Sequence, residues 1–556
     1  MNNKKQIIIG LSILVVLIII VVAIKNSSNN GDNGNFTQES YEKTLSQKLS
    51  KVNVQTIPAT KSAVKEELSE AEELPDINNY PISVKGNGQI DVEVFSSPEK
   101  AGDSTDAWFN EIAKKFNAEG HIINGKTVSI SVRKIDSGLG MDYIKTGKYV
   151  PAGYSPSNEL WGKMLEAKKI NITLKTDRLV GNTAGILLKK DAYQKIQDKY
   201  GSVDLKSVVQ ATTNGDISMG YTNPLASSSG LNFILSTLYS YNSNDPFSDD
   251  AINGFLQFQQ KIDLMAQTTM QLRTSAVGGS LDGIIIESQS LKNLPELSGF
   301  VYTPYGVRHD EPLYSLTEDS EKNQVLDLFV QYCKTPDSQN LASQYGFNEY
   351  DDYKSNIKDF SGEEIIRAQS LWKENKDSGN NISAVFVADI SGSMQGEPLN
   401  NLKTSLINGA KYINKNNSIG LVSYNSAVYK NLDIAKFDIT QRSYFQGAVE
   451  NLSGSGSTAS YDAVLEAMQM LQEEKQKNPN NKLMIFLLSD GEQNSGFSLN
   501  DITDLVKYSQ IPIYSIGYNA NISALKQISD INEAASIDAS SSDVIYQLKQ
   551  LFNAQM

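Results

Sequence analysis

The spacing of apolar residues changes character several times along the chain. Residues 7–24 are an uncharged run dominated by Ile, Val and Leu. As a helix rising 1.5 Å per residue the run would reach roughly 27 Å, close to the ~30 Å hydrocarbon core of a bilayer. Residues 26–80 are polar, from NSSNNGDNGN to KEELSEAEELPD. They hold too few large apolar side chains for a core and have the composition of a flexible tether. From Gly88 onward strand-like runs (QIDVEVFSS, TVSISVRKI, GILLKK, GDISMGYTN) alternate with helical spacing (DAWFNEIAKKFNAE, DAYQKIQDKY, GLNFILSTLYS). That alternation predicts an α/β domain with a largely parallel sheet. A charged helix, GEEIIRAQSLWKENKD, leads to a second alternating series: SAVFVADI, LNNLKTSLINGAKYI, SIGLVSYN, VYKNLDI, ASYDAVLEAMQMLQEE, KLMIFLLSD, DITDLVKYSQ and IPIYSIGY. KLMIFLLSD is apolar throughout, as a strand covered on both faces is. The predicted class is α/β throughout. The boundaries are 1–25 for a transmembrane anchor, 26–85 for the tether, 86–350 for the first domain, 351–380 for a helical connector and 381–556 for a doubly wound, Rossmann-like domain.

Composition narrows the function. The 556 residues carry a formal net charge of -14, and no dense Lys/Arg stripe offers phosphate-neutralising contacts, which argues against nucleic acid as a partner. The only histidines are His121 and His309, too little for a zinc site or a histidine-based triad. The single cysteine, Cys333, lies in LDLFVQYCK, the pattern of a buried thiol on a helix. Lys4 and Lys5 before the apolar run place the N-terminus in the cytoplasm and the bulk of the chain outside. A cleaved signal peptide is the alternative, although the text after the run, VVAIKNSS, contains no A-x-A site. Lipoprotein processing needs a cysteine there and has none. GHIINGKT, residues 120–127, fits G-x-x-x-x-G-K-[ST], but it follows a helix and opens a strand. A phosphate loop has the reverse order, so a helix-to-strand turn is expected.

Chemistry collects where the strands of the last domain end. SAVFVADI stops at Asp389, and Ser391 and Ser393 follow in a D-x-S-x-S pattern; Thr458 lies in GSGSTAS, and Asp490 ends the run LLSD. Ligands of doubly wound sheets sit at this edge. Two carboxylates with three hydroxyls suit one hard cation, Mg²⁺ or Mn²⁺, with water completing the shell. Gly392, Gly454, Gly456 and Gly491 would let the loops bend closely. Each hydroxyl taken alone also reads as a helix cap.

Two resemblances follow from these segments. Residues 381–556, with D-x-S-x-S, the Gly-rich Thr458 loop and the strand-ending Asp490, resemble the von Willebrand factor A domain and its metal-ion-dependent adhesion site. The resemblance implies that Ser391, Ser393 and Thr458 coordinate the ion, that Asp389 and Asp490 bind it directly or through water, and that a partner protein supplies a further carboxylate. Residues 86–350 resemble bacterial extracellular solute-binding proteins through FSSPEKAGDST, PAGYSPSNELW and YTNPLASSSGLNFIL. That family implies two α/β lobes closing on a small ligand, often an anion. Ser97, Asn223 and Ser229, where strands hand over to helices, are the candidate contacts for a small polar or anionic solute; the same residues also read as caps.

The expected protein is a single-pass bacterial surface protein that binds a partner through a metal-ion-dependent adhesion site and carries a solute-binding-like domain. The alternative is an accessory or sensor of a transport system that captures a small solute. No catalytic residues are assigned: G-x-S-x-G and H-E-x-x-H are absent, and a two-metal phosphoesterase would need more carboxylates than this rim offers.

Overall fold

The computed structural model describes residues 37–556 except 65–67, 267–268, 377–380, 492, 519–521, 533, 535 and 539–543. The chain divides into two units, Met1–Lys51 and Val52–Met556. The run 7–24 lies outside the described residues, and among these no helix is long and apolar enough to cross a membrane. In the first unit, the helix Gln38–Leu49 starts at a capping box, in which Thr37 accepts from Ser40 N and the Ser40 hydroxyl accepts from Thr37 N.

The second unit holds both α/β domains. The first has two lobes. One is built on a sheet ordered Ile82–Val84, Lys126–Lys134, Ile90–Ser96, Gly153–Ser155, Leu313–Ser315 and Thr173–Thr176, with Ile122–Ile123 paired to Lys126–Lys134. The other is ordered Leu264–Ala266, Met219–Thr222, Gly283–Glu287, Thr183–Lys189 and Phe300–Arg308. The chain crosses between lobes at 177–182 and 309–312. The sheets are mixed rather than largely parallel. Thr183–Lys189 and Phe300–Arg308, which join these crossings, pair antiparallel, and so do Gly283–Glu287 and Thr183–Lys189. The GHIINGKT segment ends a helix at Gly120 in the left-handed region and then turns through Asn124 (φ 51°) and Gly125 (φ 77°) into Lys126–Lys134. It is a hairpin turn.

The charged helix Gly362–Asn375 belongs to this domain. It buries Ile365, Ala368 and Trp372 in the two-lobed core, and the Trp372 indole donates to Tyr221 OH at 2.8 Å.

The C-terminal domain contains β1 (Ile382–Asp389), β2 (Ser418–Tyr424), β3 (Val428–Lys436), β4 (Lys482–Ser489), β5 (Ile513–Gly517) and β6 (Ser536–Asp538). They stand in the order β3-β2-β1-β4-β5-β6, all parallel except β3. Order reverses between β1 and β4, the switch point where such sheets bind ligands. β1 is buried at every position, which explains its unbroken apolar run. Phe386 and Phe486 stack at 5.0 Å, and Phe552 of the C-terminal helix closes on both.

Within the stretch expected to be a tether, residues 54–63 and 69–84 are built into the two domains. Val54–Thr56 joins β3 as a seventh, parallel strand, with Val54 opposite Val428. Ser62 N then donates to Ser443 O, the Ser443 hydroxyl to Ser62 O, and Gln446 Nε2 to Ala63 O. Ile82–Val84 joins the sheet of the first lobe. Composition missed this because backbone pairing needs no apolar side chain. Between these points Glu73, 2% exposed, meets Lys411 Nζ at 2.5 Å and accepts from Tyr412 OH, both on the C-terminal domain. The C-terminal helix Val544–Gln555 also bridges the domains. Tyr546 packs into the two-lobed core, and Leu548, Leu551 and Phe552 pack into the other.

Candidate functional site

Loop geometry gathers the predicted rim residues. Asp389, fully buried at the end of β1, accepts from Ser391 N at 2.8 Å, which bends the chain sharply after the strand. Its other oxygen accepts from the Ser489 hydroxyl at 2.6 Å and from Tyr424 OH at 3.3 Å. The hydroxyls of Ser391 and Ser393 lie 3.1 Å apart, and Ser393 donates to Asp490 Oδ1 at 3.0 Å. Four of the five predicted residues thus form one hydrogen-bonded chain from β1 to β4. Thr458 joins through its loop. Gly392 N donates to Gly456 O and Ser455 N to Ile390 O, which holds the Gly-rich segment against the D-x-S-x-S turn. Gly456 has φ +81°, and a Cβ there would lie 2.8 Å from Ser426 Oγ. Asn494 accepts from Thr458 N at 2.8 Å and fixes the residue, which is 4% exposed. A Cβ added at Gly491 would meet open space.

The electrostatics fit a cation. Burial pushes the Asp389 carboxyl up, against hydrogen bonds from Ser489 and Ser391, and nearby Asp490 adds to the push. Burial raises Asp490 as well, against the Ser393 hydroxyl. Among the described residues neither carboxylate forms an ion pair. Two desolvated acids beside the Ser391 and Ser393 hydroxyls, with the Thr458 loop held against them and no ion pair to either acid among the described residues, suit a hard divalent ion. Sequence reading missed the supports Ser489, Tyr424 and Asn494; Ser489, directly before Asp490 in LLSDGE, was the visible clue.

The three candidate solute contacts separate. Ser97 and Ser229 lie in the cleft between the lobes, whereas Asn223 Nδ2 points to Gln550 Oε1 of the C-terminal helix at 3.2 Å. Asn223 therefore serves the domain interface. Ser97 makes no side-chain cap and Ser229 is not the cap residue of its helix; Ser227 caps there, accepting from Gly230 N. In the cleft Ser97 donates to Glu99 and lies 3.3 Å from Glu311 Oε2, and Ser229 donates to Glu287 Oε1 at 3.1 Å. Carboxylate oxygens of Glu99, Glu287 and Glu311 lie within 4.8 Å of one another. These acidic groups sit where the serines alone suggested a small polar or anionic solute. Glu99 was visible in FSSPEKAG, but nothing in the sequence joins it to Glu287 and Glu311.

Comparisons with known proteins follow the same division. Inter-alpha-trypsin inhibitor heavy chain H1 of Sus scrofa is 27% identical over 173 residues, spanning 28% of this chain and 17% of that one. Among solved structures, von Willebrand factor type A from Catenulispora acidiphila matches at 16% identity over 31% of this chain and 42% of that one, with a TM-score of 0.28. The sulfate-binding protein SubI from Mycobacterium tuberculosis H37Rv matches at 13% over 47% and 88%, with a TM-score of 0.35. A periplasmic thiamin binding protein matches at 13% over 52% and 98%, with a TM-score of 0.37. Residues 101–348 match the bacterial extracellular solute-binding protein family and residues 384–554 the von Willebrand factor type A domain family. The chain thus combines a solute-binding-protein-like domain with a C-terminal von Willebrand factor A domain, a pairing that supports a binding or adhesion protein or a transport-associated component.

Proposed function

We propose that the protein is a membrane-anchored, extracytoplasmic binding protein that engages a partner protein through one Mg²⁺ or Mn²⁺ ion and catalyses no reaction. Asp389, Ser391, Ser393, Thr458 and Asp490 would hold the ion. When bound, it supplies an open coordination position for a carboxylate oxygen of the partner. The chain's own residues do the rest. Ser391 N, Ser489 and Tyr424 fix the Asp389 carboxylate; Ser393 links the β1 turn to Asp490; Asn494 positions Thr458.

The observation that carries this reading is a rim with two buried or half-buried carboxylates, three hydroxyls and, among the described residues, no ion-paired basic partner, facing away from the solute-binding-like domain. That domain meets the opposite end of the sheet. A cavity of about 890 Å³ there is lined by Ile382, Lys482 and Pro512 at the strand starts and by Asp216, Asp263 and Asp282 of the second lobe. The solute-binding-like domain therefore leaves the rim open to another molecule.

The test is calorimetric titration of the full-length protein with Mn²⁺. One site is expected, and Asp389→Ala should remove it without changing the far-ultraviolet circular dichroism. If that variant binds Mn²⁺ as tightly as wild type, the five residues are structural and the adhesion reading fails.

A further inference from the structure

The cleft between the lobes lies at the C-terminal ends of strands from both sheets, where a two-lobed binding protein would seat its ligand. Lys100 is there. It follows Ile90–Ser96 in the short helix Pro98–Ala101 and is fully buried. Its ammonium has three N–H bonds and three acceptors: Ser97 Oγ at 2.5 Å, Ser155 O at 2.9 Å and Glu311 Oε2 at 2.6 Å. Glu311 is also fully buried and stands on the crossing between lobes, with φ 53°. A non-glycine residue held in the left-handed region costs about 1 kcal/mol or more, so the surrounding contacts must fix it there.

Both lobes contribute to what surrounds this pair. Glu99 accepts from Ser157 at 2.5 Å in the first lobe. In the second lobe Glu287 accepts from Asn182 Nδ2 at 3.1 Å and lies 2.7 Å from His309 Nδ1. Burial raises the Glu311 carboxyl well above its usual range, with Lys100 pulling the other way and Glu99 and Glu287 adding to the rise. Among the described residues Lys100 is thus the one lysine or arginine hydrogen-bonded within this knot of three acids.

The lobes are shut on each other. The Trp161 indole of the first lobe donates to Ser228 Oγ of the second at 2.8 Å, and Gln289 of the second to Asp106 Oδ1 of the first at 2.9 Å. A Cβ on Gly138 would lie 2.7 Å from Leu225 O, so the backbones of the two lobes touch.

We propose that Lys100 is a built-in occupant of the cleft: its ammonium takes the place of a cationic ligand, ties the first lobe to Glu311 on the crossing and so latches the lobes closed, and makes this domain a rigid mount for the metal-bearing domain. The latch does not depend on the metal reading, and its test leaves the rim untouched.

The test is chemical rescue, read as melting temperature of the full-length protein in ethylammonium or propylammonium chloride against sodium chloride of equal ionic strength. Wild type should show no difference between the salts. Lys100→Ala should melt about 10 °C lower and recover saturably in the alkylammonium salts. If Lys100→Ala does not fold, Lys100→Met with Glu311→Gln removes charge from both partners. That double variant should fold and ignore the amines, while Lys100→Met alone should be the less stable of the two. The latch is overturned if wild type is stabilised saturably by an alkylammonium ion, or by a member of a panel of sugars, amino acids and inorganic anions. A Lys100→Ala or Lys100→Met variant as stable as wild type overturns it equally.

Discussion

Gly447→Ala tests whether residues 57–63 are part of the C-terminal domain, because two effects of opposite sign meet there. Gly447 sits inside the helix Ile439–Glu450. In an exposed helix interior the change to alanine stabilises by about 1 kcal/mol. Here a Cβ would lie 1.9 Å from Thr60 O and 3.2 Å from Ser62 N, where an ordinary contact is about 3.5 Å or more. The upstream segment must lift. It would lose Ser62 N to Ser443 O, Ser443 to Ser62 O, Gln446 to Ala63 O, Ser62 to Glu450 at 2.6 Å and Asn451 to Thr60 at 3.1 Å. At the lower end of the usual net value, these five bonds come to roughly 3 kcal/mol. The helix gain offsets about 1, which leaves roughly 2 kcal/mol against the docked state. That corresponds to a roughly 30-fold larger open population. Trypsin cleavage after Lys61, followed by mass spectrometry under conditions where opening is fast, reads that population directly. The expected result is a rate about 30-fold above wild type. Unchanged cleavage at Lys61 with a raised melting temperature would show that the segment does not lie over Gly447.

Three further outcomes are expected. Ser393→Ala should weaken Mn²⁺ binding by about tenfold, less than Asp389→Ala, because water can replace a hydroxyl but not a carboxylate; equal losses would contradict the assigned roles. Burial, opposed by Lys430 and reinforced by Glu473, pushes Glu466 up to about 7; the folded state binds that proton more tightly, so its stabilising contribution is complete below the ordinary value near 4.5 and is lost as pH rises through about 7. Glu466→Gln should therefore melt with wild type at pH 4 and above it at pH 8, and a difference independent of pH would remove the assignment. Protease treatment of intact cells should release both large domains while residues 7–24 stay with the membrane; full protection of the domains would place them inside.

Where the sequence was readable, the reason is local. β1 and β4 are covered on both faces, so their apolar runs announced them, and the carboxylates ending them marked the switch point before any contact was known. Spacing placed Ser391, Ser393 and Asp490 at this edge because each lies within four residues of a strand end. What stayed hidden depends on distant partners. Nothing near Asn223 reveals that it faces Gln550, and nothing in FSSPEKAG tells that Lys100 meets Glu311 on the crossing between the lobes. The segment 54–63 was hidden for a different reason: it docks through backbone groups and small polar side chains, which composition counts as unstructured.

The strand Val54–Thr56 has a consequence for how the molecule is made. Its partner strand emerges about 370 residues later, with the whole two-lobed domain synthesised in between. At roughly 5–20 residues per second, the segment leaves the ribosome tens of seconds before β3 exists. The intervening domain folds in that interval, and its own compactness brings the waiting segment near the sheet, which sharply reduces the entropy of closing so long a loop. The edge of β3 can then be covered as soon as β3 is made, before β4, β5 and β6 exist. A chain that begins at residue 381 would never cover it, and its free edge would be open to pairing with a second copy. The smallest faithful unit for studying the metal rim is therefore not contiguous in the sequence.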